Sequence, residues 1–119
     1  MPKKIDWLYA RKACVTCQKA KAYTEGAEVK VGETVDANKN KLGPKDALAL
    51  LGAKGITKVV AARGKNVVTL DLKKDAPDDE TILASIIGPT GNLRAPTAVV
   101  GKTLLVGFNE ESYADILGV

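Results

Sequence analysis

The sequence predicts an α/β protein, a mixed sheet covered by helices. Three observations lead there. Short apolar runs alternate with stretches of helical periodicity, and glycines and prolines close each stretch. In the last third, two apolar runs flank the dipeptide Gly101-Lys102, the pattern of a tight hairpin with glycine at its first central position. At 119 residues the chain is expected to be one domain, residues 1–119, with one core.

Each element has its own local reason. Ile5 to Tyr9 carries Ile, Trp, Leu and Tyr and reads as a short buried strand. Cys14, Cys17, Ala20 and Lys21 then recur at three- and four-residue steps with no glycine before Gly26, which predicts a helix over 15–25. Glu28 to Val31 reads as a second, brief strand, and the polar stretch from Gly32 to Gly43 as a loop. Pro44 suits the first position of a helix that continues through Leu48, Leu50 and Leu51 and ends at Gly52 and Gly55. From Ile56 to Leu72, β-branched residues on both sides of Arg63-Gly64-Lys65-Asn66 favour a hairpin, although Lys58 to Arg63 is also compatible with a short helix. Asp78, Asp79 and Glu80 suit a helix N-terminus, Ile82, Leu83, Ile86 and Ile87 give it a buried stripe, and Gly88-Pro89 stops it. Thr97 to Val100 and Thr103 to Val106 form the terminal hairpin, and Asn109 caps a last helix that Gly118 closes. The order is strand, helix, strand, helical insertion, hairpin, helix.

Composition sorts the functions. Apolar residues are 45% and charged residues 27%, ordinary for a globular domain. Aromatics are only 4%, so stacking platforms for single-stranded nucleic acid are not expected. The net charge of +4 comes from scattered lysines, so neither direct nucleic-acid binding nor membrane-surface binding is demanded. Histidine is absent, which removes Ser-His-Asp and Cys-His nucleophiles and every imidazole metal site. No apolar run approaches the ~20 residues that span a bilayer, and no cleavable leader opens the sequence, so a cytoplasmic protein is expected.

The chemistry centres on Cys14-Val15-Thr16-Cys17, placed after a strand and at the head of a helix. Backbone N–H groups there stabilise a thiolate, the nucleophilic form of cysteine. Cys14 would attack, and Cys17, one turn in, would resolve a mixed disulfide. Three other readings of the pair stand beside this one. A structural disulfide would close too short a ring to restrict the unfolded chain much. Half of a zinc or iron–sulfur site would still need two more ligands, and no metal site is expected. Two inert buried thiols would leave the strand-to-helix placement without a purpose. Arginine is the second clue, because fifteen of eighteen basic residues are lysine and only Arg11, Arg63 and Arg94 carry the planar fork that grips oxyanions. Arg94 leads into Ala95-Pro96, where a cis proline would be a purposeful feature facing Cys14. Gly101-Lys102-Thr103 resembles the end of a phosphate-binding loop but lacks its leading glycine and following helix, and nucleotide binding is rejected there.

Taken together, Cys14-x-x-Cys17 followed by Gln18-Lys19-Ala20, then Leu93-Arg94-Ala95-Pro96-Thr97 and Val106-Gly107-Phe108, resemble the ArsC/Spx-related branch of the thioredoxin superfamily. The likeness spans nearly the whole chain and is sharpest at its two ends. It implies a thioredoxin-like mixed sheet flanked by helices, with an insertion at approximately 33–91 between the second strand and the C-terminal hairpin. It also implies that Cys14 is the nucleophile and Pro96 a cis proline, with Arg94, Pro96, Thr97, Arg11 and Arg63 as substrate-binding or thiolate-stabilising residues. In arsenate reductases of this family an arginine adjoins the proline directly and another precedes the nucleophile. Here Ala95 intervenes and Ala13 takes the second place, which weakens an arsenate pocket.

The resemblance therefore implies, first, a thiol-disulfide oxidoreductase or glutaredoxin-like reductase acting on a disulfide or oxyanion substrate. It would hold no bound cofactor, with glutathione, thioredoxin or glutaredoxin as redox partner. Arsenate reduction through Cys14 is the second expectation. The third is a non-enzymatic, Spx-like redox switch whose partner is RNA polymerase.

Overall fold

A computed structural model describes residues 4–11, 14–63, 65–75, 77–89 and 91–118. Ala13, at the place of a family arginine, and Gly64, in the expected turn, lie outside them. Ten elements follow in order: β1 (Ile5–Ala10), α1 (Val15–Gly26), β2 (Val31–Asp36), α2 (Pro44–Ala53), β3 (Lys58–Arg63), β4 (Asn66–Asp71), α3 (Asp79–Ile86), β5 (Thr97–Val100), β6 (Thr103–Val106) and α4 (Glu110–Leu117). The six strands form one sheet in the order β2-β1-β5-β6-β3-β4. β1 with β2 and β3 with β6 are parallel, and the other three pairs are antiparallel.

The helix ends obey their caps. Asp78 and Asn109 accept from the backbone N–H of Thr81 and Ser112, three residues into α3 and α4. Acidic residues fill both first turns, and Gly118 ends α4 in the left-handed region at φ 73°. The hairpin reading of 56–72 holds: Arg63 pairs with Asn66, and Lys58 with Asp71.

Two expectations are corrected. The second strand is not residues 28–31 but Val31–Asp36, inside the stretch read as loop. Residues 27–29 instead finish α1: the N–H groups of Ala27, Glu28 and Val29 bond back to Tyr23, Glu25 and Thr24, and Glu28 takes φ 58°. β2 is a sheet-edge strand held by its backbone ladder to β1, from Ile5↔Val31 to Ala10↔Asp36, so its polar side chains face water at little cost. Consequently the insertion starts after β2, near residue 37, not 33. It is also not only helical, since β3 and β4 lie within it and extend the sheet by two strands.

The sheet separates two apolar layers. One packs Trp7, Tyr9, Val59, Val99, Leu104 and Val106 against α2 and α3 residues such as Leu51, Ile82 and Ile86. The other packs Ile5, Val60, Ala98, Val100 and Leu105 against Ala20 of α1 and Tyr113 and Leu117 of α4. β5 is buried along its whole length and β6 at all but Thr103, which makes this hairpin the centre of the molecule.

Candidate active site

The site forms where β1 hands over to α1. Cys14 is the N-cap residue of α1, in extended conformation, and its Sγ accepts the Cys17 N–H at 3.3 Å. A thiol thus occupies the place usually taken by a hydroxyl or carboxylate cap, at the positive end of the helix dipole. Cys17, one turn in, is buried, and its Sγ accepts the Arg11 backbone N–H at 3.4 Å. Both cysteines are free thiols.

Opposite Cys14 stands the segment leading into β5. Its Ala95–Pro96 peptide is cis, and the Ala95 carbonyl oxygen lies 3.8 Å from Cys14 Sγ. Several bonds pin this segment. Leu93 N–H donates to Leu42 O, Arg94 N–H to Ile86 O, and Gly107 N–H to Pro96 O. The buried Thr97 hydroxyl donates to Arg94 O. Tyr9 steadies the facing loop, since its hydroxyl donates to Asn40 O at 2.8 Å and accepts from Leu42 N–H at 3.2 Å.

The electrostatics of the two thiols diverge. Partial burial pushes the Cys14 thiol up, but hydrogen bonds from the Cys17 thiol and N–H, the Arg11 charge and the Thr16 N–H together outweigh it and hold Cys14 below the ordinary thiol value. Cys17 is pushed up to about 12, chiefly by burial, with the Cys14 thiolate beside it adding to the rise and the Arg11 N–H opposing it. Of the pair, Cys14 is therefore the thiol that loses its proton first and Cys17 the one that keeps it.

The arginines divide. Arg11, exposed at the end of β1, is the one whose charge acts on Cys14. The half-buried Arg94 guanidinium is turned toward backbone carbonyls, donating to Ala62 O and Ser85 O. Burial lowers its pKa, and the Arg63 charge lowers it further. Arg63 is exposed and donates to Ala84 O at 3.1 Å. Arg94 and Arg63 thus meet each other between β3 and α3, and the residues drawn around the thiols are Arg11, Ala95 and Pro96.

Two recesses lie beside Arg11 and the Ala95–Pro96 segment. A cavity of about 360 Å³ beside Ala95 is lined by Arg11, Asn38, Lys41, Asn92 and Arg94, a cationic and amide-rich wall. A groove of about 690 Å³ runs along α1 and β2, with Cys17, Pro96, Arg11 and Lys21 among its lining residues. Asn38, Lys41 and Asn92 were not singled out from the sequence. They sit in polar loops, which are brought together by tertiary contacts such as the bond from Leu93 N–H to Leu42 O. Among the described residues, no group of three or more Cys, Asp or Glu is placed to hold a metal ion, and no helix is long and apolar enough to cross a membrane.

Comparisons with known proteins bear on the family and the fold. The chain is 27% identical over 111 residues to the global transcriptional regulator Spx 2 of Bacillus cereus, covering 92% of this chain and 85% of that one. It is 26% identical over 105 residues to the global transcriptional regulator Spx of Enterococcus faecalis, covering 87% and 80%. Among solved structures, the YffB protein superposes with a TM-score of 0.54 at 22% identity over 93% of this chain and 97% of its own, a likeness of fold. The sequence profile of the ArsC family matches residues 9–116, and with that coverage the chain belongs to the ArsC family, on a thioredoxin-like α/β fold.

Proposed function

We propose that the protein is a thiol-disulfide oxidoreductase in which Cys14 is the attacking and Cys17 the resolving sulfur. The observation that carries this reading is the Cys14 Sγ at the α1 N-cap, where it accepts the Cys17 N–H and where its pKa is lowered by the hydrogen bonds from Cys17. In the first step the Cys14 thiolate forms a bond to one sulfur of a substrate disulfide, and the other substrate sulfur leaves as a thiolate. Cys14 is then neutral, so the hydrogen bond and charge that held the Cys17 proton in place are gone. Cys17 gives up its proton to the departing thiolate or to water and attacks Cys14 Sγ. The mixed disulfide breaks, the second substrate thiolate leaves, and Cys14–Cys17 is oxidised while the substrate is reduced. A dithiol such as thioredoxin, or two molecules of glutathione, returns the pair to thiols.

The cationic cavity beside Ala95 supports an anionic group on the substrate, with Arg11, Lys41 and Arg94 in its wall. The test is a Cys17→Ser variant, which should stall at the first step. Mass spectrometry should find the substrate thiol on Cys14 in stoichiometric amount, and Cys14→Ser should carry no adduct. Equal labelling of both variants overturns the relay.

A regulatory reading is favoured by the two relatives described as global transcriptional regulators, similar over most of the chain. In it, oxidation of Cys14 and Cys17 changes a surface offered to RNA polymerase. Capture of polymerase by only one redox form, with no turnover of disulfides, would select this reading. Arsenate reduction has less support, because the Arg94 guanidinium is engaged with the Ala62 and Ser85 carbonyls. Turnover of arsenate with glutathione and glutaredoxin, or with thioredoxin, would reinstate it.

A further inference from the structure

The recess beside Ala95 carries an unbalanced charge. Arg11, Asn38, Lys41 and Asn92 line it with cations and amides, and no described carboxylate shares its wall. Asp36, close in sequence, lines the other groove, and its carboxylate accepts the Asn38 N–H at 2.9 Å. Among the described residues, the four polar side chains of the wall make no hydrogen bond or ion pair. Arg94 also lines the recess, but its guanidinium is engaged by the Ala62 and Ser85 carbonyls, so Arg11 and Lys41 are the two charges left to meet a ligand. Lys41 is held in place from both sides, because the Tyr9 hydroxyl donates to Asn40 O and accepts from Leu42 N–H. Ala95 stands in the same wall with its carbonyl oxygen 3.8 Å from Cys14 Sγ, so a group seated in the recess lies within reach of the reactive sulfur. The volume, about 360 Å³, is at the small end of the ~300–1,000 Å³ of small-molecule sites.

We propose that this recess selects small disulfides whose arm bears a carboxylate and no ammonium group, with Lys41 as the specificity-determining residue. The inference rests on the Cys14–Cys17 relay and names a substrate class for it. A carboxylate in the recess faces two cations and two amide donors. An ammonium group there faces the same two cations and no counter-charge, so the wall that attracts the one repels the other. An arm carrying both groups loses through its ammonium part of what its carboxylate gains. With the arm seated, Cys14 Sγ bonds to the sulfur of that arm, the S–S bond breaks and the other arm leaves as a thiolate. Cys17 then attacks Cys14 Sγ, the seated arm leaves as a second thiolate, and the pair is oxidised as the disulfide is reduced. Arg11 acts on the thiol as well as on the arm, whereas Lys41 does not enter the balance that lowers the Cys14 pKa. Changing Lys41 therefore separates selection from chemistry.

Single-turnover rates of the reduced protein are measured with dithiodipropionate, hydroxyethyl disulfide and cystamine, each divided by the rate of dithiothreitol with the same disulfide. They should fall in that order, from dianion through neutral to dication. The dianion should lead the dication by roughly tenfold at low ionic strength, and salt should narrow the gap. Lys41→Gln should shrink the lead several-fold, and Lys41→Glu should abolish it. A readout that needs no disulfide is alkylation of Cys14 in a Cys17→Ser background. There the rate with iodoacetate relative to iodoacetamide should exceed that of mercaptoethanol and should drop in Lys41→Gln. Failure to reduce any of the three disulfides overturns the relay and this substrate class with it. Reduction of all three in the proportions of dithiothreitol, a preference unmoved by either Lys41 variant, or an iodoacetate ratio no greater than that of mercaptoethanol leaves the relay standing and overturns this inference alone.

Discussion

At position 14 a thiol does the work of a capping hydroxyl, and the helix start lowers its pKa. Removing the Arg11 charge with Arg11→Gln leaves the backbone N–H to Cys17 intact, so the apparent pKa of Cys14, read from alkylation rate against pH, should rise. The two thiols should also contribute oppositely to the pH dependence of stability. Because the folded Cys14 value is lowered, its contribution is present above the unfolded thiol pKa and fades as pH falls through the folded one. Because Cys17 is raised to about 12, its contribution is full below the unfolded thiol pKa and is lost as pH climbs toward 12. Urea unfolding of the reduced Cys14→Ser and Cys17→Ser variants across alkaline pH should separate the two slopes. Elsewhere in the core the Tyr113 hydroxyl is buried and has no hydrogen-bond partner among the described residues, so Tyr113→Phe should raise stability by about 1 kcal/mol in the same assay.

Among the elements, the β6–α4 junction shows how one glycine can be required by its neighbours. Gly107 has φ 77°, and a Cβ there would lie 2.5 Å from Ala62 O and 3.0 Å from the Arg94 guanidinium. Gly107→Ala should cost more than the ~1–2 kcal/mol of a left-handed alanine alone and should disturb the Arg94 and Pro96 contacts, which thermal unfolding and NMR shifts would register. Elements whose cause is local were readable in the sequence: Asp78 and Asn109 as caps, Pro44 at a helix start, Gly101-Lys102 in a hairpin. β2 was misplaced because nothing in Gly32-Glu33-Thr34 is apolar. Its strand identity comes from the β1 backbone alongside it, a partner some twenty-five residues distant in the chain. The closeness of Cys14 and Cys17 at the head of α1 was likewise legible from spacing and helix position. That Arg94 bonds to Ala62 and Ser85, and that Lys41 joins the cavity wall, depends on β3 and α3 meeting the β5 approach, which no local pattern encodes.

Over the whole molecule, the sheet isolates two apolar layers that share only the strands between them. Leu104, fully buried at the middle of β6, belongs to the layer under α2 and α3, and Leu105 to the one under α1 and α4. Leu104→Ala should cost about 2–5 kcal/mol, and so should Leu105→Ala. If the layers are as separate as they look, the double variant should be additive in denaturant titration, apart from a small coupling through the adjoining backbone.

The place of the β5–β6 hairpin in the strand order also makes it the link between two otherwise separate ladders. Without it, β1–β2 and β3–β4 are two strand pairs that share no ladder. Each presents a raw inner border, and both borders are closed at once when residues 97–106 slot between them. Residues 97–106 are thus the keystone of the sheet: a change that unseats them also unlinks the β1–β2 ladder from the β3–β4 ladder.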